Sequence, residues 1–441
     1  MDAVCFDLRW KAALGLAVDH RGFHPTTLVR FRARLLLYGK ERLVLERALA
    51  LAVELGLVRG RVEQIVDSTP MLGAAAVQDT IALVRTGVRK LIDAVGGEDE
   101  QAARDLREGL GFDYERPSRR PECDWRSGPE RQAMLTRVAQ DGERALRAVE
   151  QTPELISSEE VSEAARLLRG LIGQDFEVDQ DGVPRLRRKA SQERIISAHD
   201  PEMRTGFKPK FGRFAGYKLH AAVSNSTRPL ICSIDVEDAG GHDGAHTSAL
   251  IDNQPAELRP ERILGDTHYG DQATREEMQQ RGIEVLAPVP DPVPRPGQLS
   301  KRDFRIDLNA GTVTCPAGHA AQIPARGDRD GKRVIRFPAA RCNDCPLKPR
   351  CAPYRGGRKL TINKREDLLA AGRTALQDQD ALEHLRRSRP RVERMISLLV
   401  VHCHARKSRY RGKRKARLQA ACAAAVINLR PIGAALNQQT A

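Results

Sequence analysis

The hydrophobic positions divide the chain into long helical stretches and a few short strand-like runs. In the first sixty residues Leu8, Ala12 and Leu16 recur on one helical face, and "ERLVLERALALAVELGLV" is dense in leucine and alanine without proline. From about residue 75 to 195 the pattern is again helical and charged, with no strand signal of any strength. Helical periodicity returns from Arg365 to the end of the chain.

Three places carry the strand signals. The alternating run "GYKLHAAV", the turn "SNSTRP" and the run "LICSIDV" together predict a β-hairpin. Further on, "RILGDTHYG", "QATREEMQQRG" and "IEVLAPV" predict a strand, a helix and a second strand. A short apolar run, Ile65 and Val66, leads earlier to Asp67, and we expect Pro70 to block any continuation as a regular element.

Composition narrows the class of protein. A chain of 441 residues with 41% hydrophobic content can form roughly two to four globular domains. Its nine cysteines, the charged N-terminal stretch and the absence of an apolar run near eighteen residues argue against secretion, a disulfide scaffold and membrane spanning, and favour a reducing cytoplasm. The formal charge of +15 favours a polyanionic partner such as nucleic acid.

Two aspartates each follow a short apolar run. Asp67 comes after Ile65 and Val66, and Asp266 comes after the run that contains Ile263 and Leu264. In an open α/β sheet the functional crevice lies beyond the carboxyl ends of the strands, so two such residues on neighbouring parallel strands could face one point. The alternative is that each is only a turn or helix-capping residue.

A third acidic residue lies on a predicted helix near the C-terminus. Pro390 suits the first turn, and a stripe that includes Val392, Ile396 and Leu399 then recurs at helical spacing. Glu393 lies at the edge of this stripe, so a helix packed on the sheet would turn its carboxylate inward. The alternative is a flanking glutamate paired with a neighbouring arginine, which would contribute only a few tenths of a kcal/mol.

Three carboxylates gathered in a basic protein repel one another unless cations lie between them. Two divalent ions about 4 Å apart would remove the repulsion and could hold the attacking and leaving oxygens of a phosphodiester. Oxygen-only ligands favour Mg²⁺ or Mn²⁺ over zinc. The pattern therefore predicts phosphoryl-transfer chemistry.

The order of these motifs resembles a known family. "QIVDSTP", the hairpin with "GYKLH", "RILGDTHYG", and "RPRVERMISLLV" followed by "SRYRGKRKARLQAACAAAVINLR" resemble a DDE transposase of a bacterial insertion sequence. The resemblance spans about residues 8–430. It is specifically to the branch with a cysteine-bearing insertion between the second Asp and the Glu.

The resemblance implies both a fold and an activity. The fold is an α/β RNase H-like mixed sheet flanked by helices, with a helical insertion after the first strand and a small cysteine-containing insertion before the last helices. Asp67, Asp266 and Glu393 take the places of the metal-binding catalytic triad, which holds two Mg²⁺ or Mn²⁺ ions. The activity is DNA cleavage and strand transfer at insertion-sequence ends. The partners are double-stranded end and target DNA, bound by a homodimer in the bacterial cytoplasm, with no membrane.

These expectations divide the chain into consecutive segments. They are an N-terminal helical region at 1–61, the first catalytic strand at 62–74, a helical insertion at 75–204, the continued catalytic domain at 205–296, the cysteine-bearing insertion at 297–361, and the C-terminal catalytic helices with a basic tail at 362–441.

The chain also departs from the family pattern. Related enzymes often carry a Tyr seven residues and an Arg four residues before the Glu; Arg389 fits, but Arg386 stands where Tyr would be. The start is abrupt, which predicts an N-terminally truncated copy or a start elsewhere. The alternative function is accordingly a catalytically inactive DNA-binding remnant.

Four cysteines have the spacing of a metal site. Cys315, Cys342, Cys345 and Cys351 follow the pattern C-x26-C-x2-C-x5-C, which would suffice for one closed structural zinc site, and His319 could replace one thiolate. The alternative is a set of free thiols, because the last spacing is looser than usual. Either way, we expect the segment to shape the edge of the catalytic domain rather than to recognise bases.

Basic residues around the predicted site form the expected DNA surface. The segment 404–417 holds eight Lys or Arg and no acid, which favours contact with phosphates over a merely solvated face. In "FKPKFGRFAGYK" aromatic and basic residues interleave, and the rings suit either stacking on unpaired bases or core packing. The predicted DNA-binding residues are Arg389, Arg406, Lys407, Arg409, Arg411, Lys413, Arg414, Lys415, Arg417, Lys208, Lys210, Arg213 and Lys218.

Two His-Asp pairs offer a rival class, a metal-dependent phosphohydrolase acting on small substrates. His199-Asp200 precedes a proline and His242-Asp243 lies in "GGHDG", so both pairs are predicted to lie in turns or loops. Asp243 remains a minor candidate for the rim of the active site.

Overall fold

The computed structural model describes residues 2–58, 63–115, 123–189, 191, 193–291, 296–354 and 356–439. The predicted boundary at residues 61 and 62 lies outside the described residues. The described chain forms a mixed α/β structure in which one curled sheet is flanked by helices.

The N-terminal region is helical, as predicted. Its helices are α1 (Asp2–Phe6), α2 (Leu8–Ala13), α3 (Pro25–Leu37) and α4 (Leu43–Glu54). Only α4 has a continuous buried stripe, formed by Leu45, Ala48, Leu49 and Ala52, and this stripe joins the main core of the protein.

The first strand is longer than predicted. Strand β1 (Gln64–Leu72) runs through Pro70, so the expectation that Pro70 would end the element was wrong. The N–H of Leu72 bonds to Arg406 on the side away from the neighbouring antiparallel strand, and Pro70, two residues earlier, points its nitrogen to that same side. The strand therefore loses no ladder hydrogen bond at the proline.

A helical region follows β1 and has its own core. It contains α5 (Thr80–Glu98), α6 (Glu100–Glu108), α7 (Gly128–Glu150), α8 (Pro153–Ile156) and α9 (Glu159–Asp175). A short hairpin, β2 (Phe176–Val178) with β3 (Pro184–Leu186), closes it. No strand was predicted here, because three-residue strands are too short to show alternation.

The central sheet uses strands from separate parts of the chain. They are β1, β4 (Arg204–Lys208), β5 (Gly212–Ser224), β6 (Ile231–Asp238), β7 (Arg262–Leu264) and β8 (Glu284–Leu286). Their order is β4-β5-β1-β7-β8, with β6 also paired to β5. Helix α10 (Thr247–Asp252) lies between β6 and β7, and α11 (Gln272–Gln280) between β7 and β8.

The predicted pairings are present. Strands β5 and β6 form the expected antiparallel hairpin, and β7 and β8 are parallel across α11. Strand β1 pairs antiparallel with β5 on one side and parallel with β7 on the other.

The segment with the cysteine spacing folds around a small separate core. Its elements are β9 (Arg305–Asp307), β10 (Thr312–Thr314), β11 (Ala320–Gln322), β12 (Arg333–Arg336), α12 (Ala339–Asn343), α13 (Lys348–Cys351) and β13 (Lys359–Ile362). The core contains Phe304, Val313, Ile335, Phe337, Leu360 and Ile362.

The C-terminal part is helical, with α14 (Glu366–Ala375), α15 (Gln379–Ser388), α16 (Pro390–His402) and α17 (Lys413–Gln439). Among the described residues α17 is the one helix that is long and apolar enough to cross a membrane by composition alone. It packs against β6 and α4, and 56% of its apolar window is buried inside the protein. These contacts are those of a core helix.

Both faces of the sheet are covered. Helices α4, α16 and α17 pack on the face that includes Ile65 and Tyr217, while α10 and α11 pack on the face that includes Val66. The alternating polar positions of β5 are therefore buried as well: Lys218 and His220 are 7% and 1% exposed. Alternating apolar and polar residues in a strand predict one buried face of the sheet, but they do not show whether helices also cover the other face.

Candidate active site

Asp67 and Asp266 lie level with each other on neighbouring strands. In the parallel pairing of β1 with β7, Ile65 is opposite Leu264. Extending this register by two residues sets Asp266 beside Asp67. Ile65 and Leu264 belong to the same core cluster, so the two carboxylates, each two residues further on, are directed to the face on which α16 packs.

Local backbone contacts hold each of these carboxylates. Asp67 accepts a hydrogen bond from the Ser68 N–H at 2.7 Å, and Asp266 accepts one from the His268 N–H at 2.8 Å. Asp266 is thus also the N-cap of the 3₁₀ turn Thr267–Tyr269. Capping leaves oxygen lone pairs free on the carboxylate, because each oxygen can accept more than one bond.

The surroundings of Asp67 disfavour its charged form. Burial has the largest influence and raises the pKa of Asp67 to about 6, and the nearby Asp266 carboxylate raises it too. The Ser68 amide, Lys208 and Arg389 act in the opposite direction. A partly buried carboxylate close to a second one is an unfavourable arrangement unless a cation joins them.

Glu393 is exposed and pairs with Arg389 instead of joining the two aspartates. Its side chain is 59% exposed and lies 3.7 Å from the Arg389 guanidinium, as the alternative of a flanking glutamate describes. The buried stripe of α16 is as predicted, with Val392, Ile396 and Leu399 in the core. The charge of Arg389 also lowers the pKa of Asp67, so the guanidinium acts on both acidic groups.

A buried ion network supports the site from the opposite face of β1. Asp243 accepts bonds from Lys208 and Lys218, each at 2.7 Å, and from the Ser68 hydroxyl at 2.7 Å. Lys208 also donates to the Ser68 hydroxyl at 2.7 Å. Burial would raise the pKa of Asp243, but the two ammonium groups outweigh it and hold that pKa well below its usual range. Asp243 is therefore an anchor for Lys208 beneath the site.

Tyr269 is a site residue that sequence analysis missed. It is 1% exposed and packs in the core cluster on the Val66 face of the sheet. Burial raises its pKa well above the usual value, Asp243, Asp67 and Asp266 add to the effect, and a hydrogen bond with the Ser68 side chain opposes it. A side chain at Gly265 would meet the Tyr269 Cβ at 2.6 Å, which explains the glycine in "GDTHYG".

The donor set is suited to a hard divalent cation but is incomplete as it stands. Asp67 and Asp266 offer carboxylate oxygens, the ligands that Mg²⁺ and Mn²⁺ prefer. Within the part of the chain that the structure describes, no three His, Cys, Asp or Glu side chains are grouped closely enough to hold a metal ion. Glu393 would have to turn away from Arg389 to complete a shell.

The four spaced cysteines converge on one small cavity. Cys315, Cys342, Cys345 and Cys351 line a cavity of about 30 Å³, and His319 lines it too. All four are free thiols. Burial raises the pKa of Cys351, and the other three thiols add to that shift, which reflects how near they lie. The four thiols match a tetrahedral zinc ion in number and chemistry, but among the described residues no three of them are grouped closely enough to hold one, so a zinc site here stays a prediction.

Several predicted DNA-binding residues make internal contacts instead. Lys218 is buried on Asp243, Lys413 pairs with Glu237 and Asp238, and Arg417 pairs with Asp235 and Glu237. These three residues therefore drop out of the expected DNA surface. The basic segment 404–417 contains no acidic residue of its own. In the fold, acidic residues on β6, far away in the sequence, form ion pairs with part of it.

Of the other predicted DNA-binding residues, some are already bonded within the protein and some form no ion pair. Arg406 donates to Thr69 and to the Pro70 carbonyl, and the exposed Arg414 pairs with Glu41. Exposed residues that form no ion pair among the described side chains are Lys407, Arg409, Arg411, Lys415, Lys210 and Arg213. These six are the cations best placed for phosphates.

The His-Asp pairs do not form a shared site. Asp200 accepts bonds from the Tyr217 hydroxyl and the Gly412 N–H, and His242 lies 3.2 Å from Asp271. Asp200 is thus a structural acceptor, which removes support for the rival phosphohydrolase.

Comparison with known proteins gives one finding. Residues 314–432 match a family model described as "Transposase DDE domain". The chain is similar to DDE-type transposases. No curated protein and no solved structure matches it.

The match confirms the family resemblance, and it covers residues 314–432 and not the earlier part of the chain. It contains the four spaced cysteines, Glu393 and the basic segment 404–417. Asp67 and Asp266 lie outside it, so their grouping rests on the strand register. A truncated start and the status of the cysteine segment as an insertion stay predictions.

The first prediction concerns Asp67 and pH. Because the folded pKa of about 6 lies above the ordinary 3.8, the unfolded chain ionises first and wild-type stability falls between about pH 4 and 7. Asp67→Asn removes this loss. In metal-free buffer we expect the variant to gain on the wild type by on the order of 1–3 kcal/mol over that range, measured by denaturant unfolding.

The exposed Asp93 on α5 provides a matched control, since Asp93→Asn should show no such pH-dependent gain. A difference between Asp67→Asn and wild type that stays constant from pH 4 to 8 would contradict the burial of this carboxylate.

The second prediction concerns the cysteine cavity. Freshly purified, reduced protein should contain about one zinc per chain by elemental analysis, as a closed tetrathiolate site requires. A Cys342→Ser, Cys345→Ser double variant should lose the metal and become protease-sensitive first within residues 297–361. A Cys5→Ser, Cys123→Ser variant should keep it. Protein without zinc would favour the free-thiol alternative.

Proposed function

We propose that this protein is a bacterial transposase that cleaves DNA at insertion-sequence ends and joins the freed 3′-OH to target DNA. The observation that carries the proposal is the parallel register that brings Asp67 level with Asp266 on the sheet face covered by α16. The family match over residues 314–432 supports it independently.

The proposal includes an RNase H-like fold with two insertions. A mixed sheet, with β1 antiparallel to one neighbour and parallel to the other, supports that fold. The region α5–α9 leaves the sheet after β1 and has its own core, as expected of an inserted helical unit. The cysteine segment likewise has a separate core.

In the proposed site Asp67, Asp266 and Glu393 hold two Mg²⁺ or Mn²⁺ ions. When bound, such ions lower the charge barrier to phosphodiester cleavage and orient its oxygens. Ser68 fixes the Asp67 carboxylate through its backbone N–H, and Lys208, anchored by Asp243, places a positive charge beside it. Arg389, released from Glu393, becomes free to contact a phosphate.

Charge distribution suggests where the DNA would lie. The six exposed cations without ion pairs come from the β4–β5 turn and from the segment between α16 and the first turn of α17. The segment after α16 contacts β1 at Pro70 and Leu72. The β4–β5 hairpin flanks β1, because β5 pairs with both β4 and β1. A homodimer on two DNA ends, acting in the cytoplasm, is part of the proposal by family resemblance.

A catalytically inactive DNA-binding remnant is the second candidate. The observation that favours it is the position of Glu393, which is largely exposed and paired with Arg389. Arg386 in place of the Tyr of related enzymes points the same way. In this case the basic surface would bind DNA and no cleavage would follow.

The third prediction separates these two candidates. On DNA carrying the flanking inverted repeats, with Mg²⁺ or Mn²⁺, wild-type protein should nick the strand at the end. Asp67→Asn, Asp266→Asn and Glu393→Gln should each abolish nicking and leave end binding within a few-fold, because an ion ligand serves chemistry rather than phosphate contact. A variant that nicks at near wild-type rate would show that its residue is not a ligand.

The fourth prediction concerns the exposed cations. Replacing Arg409, Arg411 and Lys415 by Ala should lower the salt dependence of duplex binding by roughly two to three units of slope and weaken specific and random DNA alike. Binding titrations at several salt concentrations measure this. A control triple variant of exposed arginines on the helical region, Arg104, Arg147 and Arg166, should leave the slope unchanged.

A loss confined to the specific end sequence would instead mean that these side chains recognise bases, a role that arginine can fill in the major groove. An unchanged slope would mean that the segment is only a solvated face.

A further inference from the structure

The tip of the β4–β5 hairpin exposes two aromatic side chains. Phe207 is 62% exposed and Phe211 44%, whereas Phe214 is buried at 5%. Phe214 is set over Gly206, where an added Cβ would meet its ring at 2.5 Å, and Phe211 packs edge-on against Phe214 with ring centroids 5.9 Å apart. Phe207 makes no ring contact among the described residues and is the ring left open.

Cations accompany the exposed rings. Phe207 is directly opposite Arg213 in the β4–β5 ladder, so the ring and the guanidinium project from the same face of the hairpin. Lys210 lies in the turn between them. Neither Arg213 nor Lys210 forms an ion pair among the described side chains, so both charges are free for an anionic ligand.

The hairpin tip is fixed close to the candidate active site. The Arg406 guanidinium lies 5.2 Å from the Phe211 ring centroid and donates to the Thr69 hydroxyl at 2.8 Å. Thr69 is two residues beyond Asp67 on the same face of β1, roughly 7 Å along the strand. At the base of the hairpin Lys208 bonds to the Ser68 hydroxyl at 2.7 Å.

An unpaired nucleotide matches this combination of groups. A flat ring exposed on one side can stack on a base, and adjacent cations can hold the phosphates on either side of it. In an intact duplex the internal base faces are already stacked on each other, so a blunt end offers the ring only the outer face of its last base pair, without a separate backbone on both sides of the base. The unoccupied aromatic surface therefore favours single-stranded over double-stranded DNA.

We propose that the hairpin tip binds an unpaired nucleotide of the DNA next to the cleavage point, with Phe207 stacked on the base and Lys210 and Arg213 on the flanking phosphates. The proposal rests on the proposed function, since it takes DNA as the substrate at Asp67. Phe211, covered on one face by Arg406, holds the tip in position.

The test compares DNA with and without unpaired nucleotides in EDTA, where no cleavage takes place. Wild-type protein should bind a duplex with a three-nucleotide single-stranded overhang about 10-fold more tightly than the same duplex with a blunt end. Phe207→Leu keeps an apolar side chain but removes the ring. It should lose most of that preference and leave blunt-end affinity unchanged, while Phe207→Trp should restore it.

A fluorescent base analogue, 2-aminopurine, in the overhang reports stacking directly. Wild type and Phe207→Trp should quench it, and Phe207→Leu should not. The control Phe6→Leu replaces an exposed phenylalanine on α1, 83% accessible against 62% for Phe207, and should change nothing. Replacing Arg213 by Ala should weaken overhang binding and lower its salt slope by about one.

A wild type without overhang preference, or a Phe207→Leu variant that keeps it, overturns this proposal even if the protein cleaves DNA. Conversely, a protein that shows the preference and never nicks DNA with Mg²⁺ or Mn²⁺ retains the hairpin site and loses the proposed transposase activity. Capture of a protein ligand by the tip, with no effect of DNA, would also overturn it.

Discussion

Two residue pairs between parallel strands decide where the acidic groups of this protein meet. Because Ile65 lies opposite Leu264, the chain brings Asp67 and Asp266 level after the pairing ends. A slip of one residue would turn one carboxylate to the opposite face of the sheet. Helix α16, which carries Glu393, packs on the shared face through its buried stripe and contacts β1 and β5.

The electrostatic balance around this pairing explains the surrounding residues. Carboxylates brought together by backbone geometry need positive charge nearby, and the fold supplies it as Lys208 from one side and Arg389 from the other. Asp243 fixes Lys208 by a buried ion pair, so this charge cannot move far. Among the described side chains Arg389 pairs with the exposed Glu393, so this second positive charge is held at the surface and not by a buried partner.

Local signals in the sequence carried part of this arrangement. Short apolar runs ahead of Asp67 and Asp266 predicted strand ends, and this was correct only for Asp266, which follows β7, whereas Asp67 lies in the middle of β1. Burial of Lys218 could not be predicted, since alternation along β5 gives no sign of the helices on its second face. Nor could the pairing of Arg417 with Glu237, because 180 residues separate partners that meet only when α17 packs on β6. The burial of Lys218 and the pairing of Arg417 depend on where the helices pack on the sheet, and residue type alone does not predict either.

Iron-directed cleavage of the polypeptide tests the central claim most directly. Fe²⁺ takes the place of Mg²⁺ in an oxygen-ligand site, and with ascorbate and peroxide it generates radicals that cut the backbone nearby. The account predicts cuts at three separated segments, near Asp67, near Asp266 and near Glu393, all suppressed by excess Mg²⁺ and absent in Asp67→Asn. Cuts confined to the cysteine segment, or cuts at only one of the three places, would contradict a shared metal site.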